Sequence, residues 1–228
     1  MSKLQTASKE TVISIQPMNV KHAIIHIAGD GDLVLNKMNA SNSRQLISDD
    51  RKAAALWEAQ HKNRWEDIIT SMHWRDGIEF NGEPIREDET NSRCTEEVLN
   101  YMLEHNAPCI TAFGLKKSWG QAVVRNKIDK YSTKLDNAVN IVANSGLVPI
   151  TFAEWKLDTR LMSPKRGSPV TTRLNHFCGW KAEIHISYTE NVFSITEIAK
   201  VIDCAGFGIG IGSGRTSGYG RYHIEDIS

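Results

Sequence analysis

Seven of the sixteen residues from Gly206 to Arg221 are glycine, and this tract constrains the fold more than any other part of the 228-residue chain. Glycine accepts backbone conformations that other residues avoid and lets a second backbone approach closely, so such a tract can lie against phosphates. It matches neither common nucleotide-binding template. No Lys-Ser or Lys-Thr pair follows the glycines, and no frame reads Gly-x-Gly-x-x-Gly. Eight residues follow Gly220, too few for the helix both templates require. The tract reads instead as Gly210-Ile211-Gly212, five residues including Arg215, then Gly218-Tyr219-Gly220.

The flanking segments carry clearer periodicity. From Lys181 to Tyr188, apolar Ala182, Ile184, Ile186 and Tyr188 alternate with polar Lys181, Glu183, His185 and Ser187, which predicts a strand with one buried face. Ser194 and Glu197 form a capping-box signature, with Ile195, Ile198, Ala199 and Ile202 on one helical face behind it. Gly206 is the expected helix stop. Phe207, Ile209 and Ile211 alternate as a second strand, and Tyr219 to Ile224 reads as a third. A β-α-β-β order with the glycine loop in its last hairpin suits one half of a ferredoxin-like (RRM-like) sheet. With its basic residue between two Gly-hydrophobic-Gly triplets, the loop resembles the C-terminal glycine-rich loop of the RAMP superfamily, the RNA-binding proteins of CRISPR effector complexes.

Charge is balanced in total and segregated along the chain. The 27 basic and 27 acidic residues cancel, so bulk charge selects no partner. Residues 76–108, however, hold nine acidic side chains against two basic, and residues 109–181 hold twelve basic against four acidic. A basic middle of this kind could neutralise several phosphates, which points to a nucleic-acid groove. No run of 18 apolar residues suggests a membrane span, and the polar stretch from Met1 to Glu10 lacks the apolar core of a signal peptide. Cys94, Cys109, Cys178 and Cys204 show no Cys-x-x-Cys spacing, which favours free thiols in a reducing cytoplasm.

Strands are expected at 11–16 and 21–28, before the turn Gly29-Asp30-Gly31 and apolar Leu33 to Leu35. Residues 49–72 are the longest helical candidate, with Trp57, Trp65, Ile68, Ile69 and Met72 near helical spacing. Thr95, followed by Glu96 and Glu97, should cap a helix buried through Val98, Leu99, Met102 and Leu103. Residues 116–128 and 135–143 read as two more helices. Residues 150–162 and 170–188 read as a long ribbon whose tip carries Lys165 and Arg166 between Pro164 and Pro169, and prolines discourage edge pairing there. Strands, then helices, then strands predict an α+β fold in a single domain spanning 1–228. Its antiparallel sheet core would occupy 1–48 and 148–228, with a protruding β-hairpin at 150–188 and a helical insertion at 49–147.

The resemblance reaches beyond the loop, most strongly from about Val148 onward. The segment from Gly29 to Lys37, and that from Pro108 through Phe113 to Arg125, are similar to corresponding blocks in a set of tailed-phage proteins that resemble CRISPR backbone subunits. The loop departs from those proteins in being short, Ser/Thr-containing and without a Trp-Arg-Pro run. The resemblance implies a hairpin that folds over a bound strand as a thumb, and subunits that line up head to tail along RNA.

Enzymatic signatures are weak. His22 and His26 fall on one face of a predicted strand, and some RAMP relatives are RNases that use a histidine near the N-terminus. Pro108 breaks any helix that would aim His105 and Cys109 at one metal, and no Ser-His-Asp, His-Glu-x-x-His or paired-carboxylate motif is present. The expectation is therefore a non-catalytic protein without a cofactor that binds single-stranded RNA, or DNA, and multimerises on it or joins a CRISPR-like ribonucleoprotein. A metal-independent endoribonuclease and a phage single-strand annealing protein are the alternatives. The expected contact residues are Lys37, Lys116, Lys117, Arg125, Lys127, Lys165, Arg166 and Arg173, with Gly210, Gly212, Arg215, Gly218, Tyr219, Gly220 and Arg221 of the loop.

Overall fold

A computed structural model describes residues 19–162 and 170–228. The strand expected at 11–16 and the hairpin tip with Lys165 and Arg166 lie outside the described residues. In chain order, β1 (Val20–Gly29) and β2 (Leu33–Leu35) lead into α1 (Ala40–Ile47), α2 (Arg51–Gln60) and α3 (Arg64–Thr70). Short strands β3 (His73–Trp74), β4 (Glu79–Phe80) and β5 (Glu83–Pro84) precede α4 (Thr90–Arg93), α5 (Glu96–His105) and β6 (Pro108–Thr111). Next come α6 (Ala112–Arg125), α7 (Thr133–Ala138), β7 (Val139–Ile141) and β8 (Leu147–Thr151). The hairpin β9 (Glu154–Met162) and β10 (Val170–Cys178) is followed by β11 (Lys181–Thr189), α8 (Ile195–Gly208) and β12 (Tyr222–Ile227).

The large sheet runs β12-β1-β11-β8-β6-β3, with β7 pairing the far half of β11, and every neighbouring pair is antiparallel. Within it, β1, α6, β8, β11, α8 and β12 follow a β-α-β-β-α-β order in which the fourth strand lies beside the first and the third beside the second. That is the ferredoxin-like arrangement, two interleaved β-α-β units with both helices packed together. The fold is therefore α+β on an antiparallel sheet. Alternation along β1 and β11 sets the register: Ile25 faces Ile184 and Ile27 faces Ala182 on the covered side. Leu115, Trp119, Ala122 and Val123 of α6, with Ile198, Val201, Ile202 and Ala205 of α8, complete the buried layer. The Trp119 indole N–H donates to the Tyr222 hydroxyl at 3.1 Å, so two buried polar aromatics of this layer are paired. His22, His26 and His185 line the opposite face of the sheet, which no described helix covers.

Several sequence expectations need correction. The helix expected over 49–72 is two helices, because the Asn63 side chain accepts from the Trp65 and Glu66 amides and starts α3 afresh. The helix expected to stop at Gly206 continues to Gly208, and no strand forms over 207–211. Phe207 is 86% exposed, and the Ile209 and Gly210 amides both bond the Ala205 carbonyl, as a helix end requires. Gly206 serves packing: a Cβ there would overlap the Tyr222 backbone of β12. The helix expected over 135–143 ends at Ala138, since Val139 and Ile141 are buried as β7 beside β11. The ribbon expected from 150 to 188 divides. Its outer parts, β8 and β11, join the large sheet, while β9 and β10 form a separate three-stranded sheet with β2.

The segment assigned to a helical insertion is also divided. Residues 33–111 form the insertion into the first β-α crossover, whereas α6 and β8 belong to the ferredoxin-like core. A buried ionic cluster ties that insertion together. Arg44 of α1 reaches Glu58 of α2 at 2.6 Å and Glu66 of α3 at 2.8 Å, and Thr90 and Asn91 of α4 also donate to Glu66. The expected N-cap is present at Thr95, which accepts from the Val98 amide, and the expected capping box at Ser194, which exchanges bonds with Glu197.

Candidate nucleic-acid interface

The glycine tract forms a compact loop wedged between β2, α6 and the end of α8. Its backbone is spent largely on the protein itself. The Ile211 amide bonds the Gly220 carbonyl, Ser213 bonds Val34, Gly218 bonds Arg215, and Gly220 bonds Asp32, at 2.8–3.2 Å. The Gly210 carbonyl accepts from the buried Ser118 hydroxyl of α6 at 2.9 Å. Gly210, Gly218 and Gly220 thus build the loop, and their amides are not offered to a phosphate. Gly212 sits at φ +73, and a Cβ there would lie 2.5 Å from the Val34 carbonyl. Gly212→Ala should therefore cost about 2 kcal/mol or more in stability. An unchanged urea midpoint would show that the loop adapts freely.

Three adjoining clefts run past this loop. The central one, of about 230 Å³, is lined by Asn36 and Lys37 after β2, His73 of β3, Thr111 at the end of β6, Gly114 and Lys117 of α6, and Gly212, Ser213 and Arg215 of the loop. It shares Asn36, Lys37 and Ser71 with a second cleft of about 320 Å³ that ends at Thr172 and Arg173 of β10. Through Lys117 it meets a third, of about 700 Å³, between α6 and α7, where Lys116 and Arg125 stand. Seven of the residues expected from the sequence thus line one path: Lys37, Lys116, Lys117, Arg125, Arg173, Gly212 and Arg215.

The path is predominantly basic, with Asp67 in the second cleft and Asp136 in the third as the carboxylates among its described lining residues. Among the described residues, Lys37, Lys117, Arg125 and Arg215 have no carboxylate within ion-pair distance, whereas Lys156, Arg160 and Lys181 elsewhere each do. Arg173 is partly neutralised by Asp67 at 3.4 Å, and the Lys116 ammonium donates to the Asp136 carbonyl at 2.9 Å. Desolvation pushes Lys37 below the usual lysine range against the pull of Glu87, even though much of its side chain remains open to solvent. Burial, then the Lys37 charge, lowers the neighbouring His73. An anion alongside would favour the charged form of both groups. Desolvation pushes the Cys109 thiol, which also lines the central cleft, up to about 11, so it stays protonated and a poor nucleophile.

The remaining expected residues lie elsewhere. Lys127 follows α6 at φ +55, is exposed, and does not line the path. Tyr219 faces the small sheet: its hydroxyl accepts from Arg160 at 2.8 Å, and its ring meets His176 edge-on at 5.1 Å. Arg221 folds back on the loop, one guanidinium nitrogen 3.5 Å from the Arg215 carbonyl and another buried without a partner among the described residues. Arg221 is better placed to brace the loop than to meet a ligand. Sequence reasoning did not single out Asn36, His73, Phe113 or Gln121 as contact residues. Phe113 had a readable signal, as a large apolar residue one turn before Lys117 and two before Gln121 on the polar face of α6.

Among the described residues, no group of three or more His, Cys, Asp or Glu side chains is placed to hold a metal ion. Nor, among them, is any helix long and apolar enough to cross a membrane. No protein-family model matches the chain, and no curated protein matches it. Among the solved structures similar to it are the following two. One is a chain of the type III-B Cmr-beta complex bound to cognate target RNA, seen by cryo-EM, with a TM-score of 0.44 at 12% identity. That match covers 92% of this chain, which spans 60% of the neighbour's length. The other is the crystal structure of Cmr6 from Pyrococcus furiosus, with a TM-score of 0.31 at 11% identity over 91% of this chain and 100% of the other. Likenesses of this distance decide neither fold nor activity, which rest on the geometry above.

Proposed function

We propose that this protein is a non-catalytic single-stranded nucleic-acid-binding protein, RNA before DNA, whose copies line up along the strand. The observation that carries this reading is the convergence of Lys37, Lys117 and Arg215 on one cleft without compensating carboxylates. Three chain segments remote in sequence supply them. Cations held together in this way repel one another, and a polyanion relieves that repulsion while releasing counterions. An open path of linked clefts suits a strand better than a small ligand enclosed on all sides. Contacts of this type fix a phosphate backbone without reading sequence. The preference for RNA follows from the RAMP resemblance of the loop.

The non-catalytic reading is supported by the protonated Cys109 and by the position of His22 and His26, which do not line the path. Head-to-tail assembly is supported by a complementary surface. Glu83, Glu87, Asp88, Glu96, Glu97 and Glu104 are exposed on the insertion, while the cleft rims are basic. Such a contact would join copies as subunits of a CRISPR-like ribonucleoprotein or of its phage counterpart.

Anisotropy of a labelled single-stranded RNA tests the reading directly. With about six basic side chains on the path, log affinity should fall with log salt at a slope near −4. Single strands should bind more tightly than duplexes, long strands should carry several copies in sedimentation, and the RNA should remain intact. Equal binding of duplex and single strand, or shortened RNA, would overturn it.

A further inference from the structure

We propose that the cleft between α6 and α7 is a nucleobase subsite that takes one unstacked base of the bound strand, guanine in preference to the others. The inference rests on the single-strand reading above and adds a specificity element to it.

The cleft of about 700 Å³ has a floor made by one face of α6, where Gly120 lets α7 approach: a Cβ there would stand 3.0 Å from the Ser132 Cβ. Phe113 stands at one end with 75% of its surface exposed, and Val124, 47% exposed, lies three turns further along the same face. The covered face of α6 already buries Leu115, Trp119, Ala122 and Val123, so Phe113 is not needed for the core. An exposed ring in a basic cleft is costly in water and useful to a base, whose π-face it can stack against. The Lys117 ammonium lies 5.8 Å from the centre of the Phe113 ring, where it can hold the phosphate beside a stacked nucleotide.

Asp136 on the far wall and Gln121 on the α6 floor carry the discriminating groups. Lys116 binds the Asp136 carbonyl and fixes α7 against α6, and the Ser132 hydroxyl donates to the Asp136 carboxylate at 3.0 Å, which orients it. A carboxylate has only acceptors, and the Gln121 amide offers both a donor and an acceptor. Guanine presents two adjacent N–H groups, at N1 and N2, which a carboxylate can accept together, and an O6 that can accept from Gln121. Adenine and cytosine offer one amino group beside an unprotonated ring nitrogen, which repels the carboxylate. Uracil offers one N–H between two carbonyls.

Oligouridine of about 12 nucleotides, carrying at its centre guanine, uracil or an abasic unit, tests the subsite by anisotropy with the whole protein. The guanine strand should bind about 10-fold more tightly than the abasic strand. Phe113→Ala should erase most of that difference, the guanine strand losing more affinity than the abasic strand, and Asp136→Asn should remove the preference for guanine over uracil. Equal affinity of wild-type protein for guanine and abasic strands overturns the subsite and leaves the groove standing. So does a Phe113→Ala loss shared equally by both strands. Failure of all three strands to bind at low salt overturns the groove and the subsite together. Guanine preference persisting in Asp136→Asn overturns the donor-edge assignment.

Discussion

Replacing Lys37, Lys117 and Arg215 together by alanine should lower affinity for single-stranded RNA by two to three powers of ten at low salt. Each counterion released from a single strand contributes about 0.7 to the salt slope, so the slope should shrink by about 2. At about 50 mM salt, three such contacts amount to a factor of several hundred. The loss should be uniform across sequences, because phosphate contacts carry no base information. None of the three side chains is buried or ion-paired among the described residues, so the variant should fold as the parent does. A control triple substitution at Lys127, Lys156 and Lys181, off the path, should change affinity far less. Comparable losses in both variants would mean that net charge acts and the groove does not.

The contrast between those two sets marks where sequence reading stops. The excess of basic residues over 109–181 is visible in the sequence, but Lys156, Arg160 and Lys181 belong to that segment and are paired with Glu154, Asp158 and Glu225. Lys37 lies outside the segment and enters the path because the Lys37 amide bonds the Ser71 carbonyl, which brings the end of β2 beside α3. Long-range placement of this kind leaves no periodic trace. Local signals fared differently. The alternation of β11, the Ser194 cap and the Thr95 cap are each written within a few residues, and each appears in the structure as expected. The glycine tract sits between these cases. Its composition announces a close approach of backbones, but Gly206 approaches β12 and Gly212 approaches β2, partners that no local pattern names. For the same reason the ribbon could be seen but not its division, since strands of both sheets alternate in the same way.

The largest effect on stability should come from Arg44, which holds the insertion that supplies Lys37 and His73 to the groove. Arg44→Ala would leave Glu58 and the fully buried Glu66 without their cation. Breaking a buried pair in this way costs about 3–5 kcal/mol, because an uncompensated charge stays behind. The pH dependence identifies the cause. In the intact protein, desolvation opposes ionisation of Glu66, but hydrogen bonds from Arg44, Thr90 and Asn91 and the Arg44 charge outweigh it and hold the carboxyl below its ordinary value. A depressed carboxyl stabilises the fold fully above its unfolded pKa of about 4.3, and that share is lost as pH falls through the folded value. In Arg44→Ala the desolvation is no longer offset, so the Glu66 pKa should rise above the unfolded value and protonation should favour the fold. The stability gap between parent and variant should therefore be widest at neutral pH and close as the solution is acidified toward pH 4. Urea denaturation at several pH values measures it. Replacing Arg44, Glu58 and Glu66 together by Met, Leu and Leu removes charge and partner alike and should recover most of the loss. A gap independent of pH, or a triple variant no more stable than Arg44→Ala, would mean that Arg44 acts through packing of its aliphatic stem.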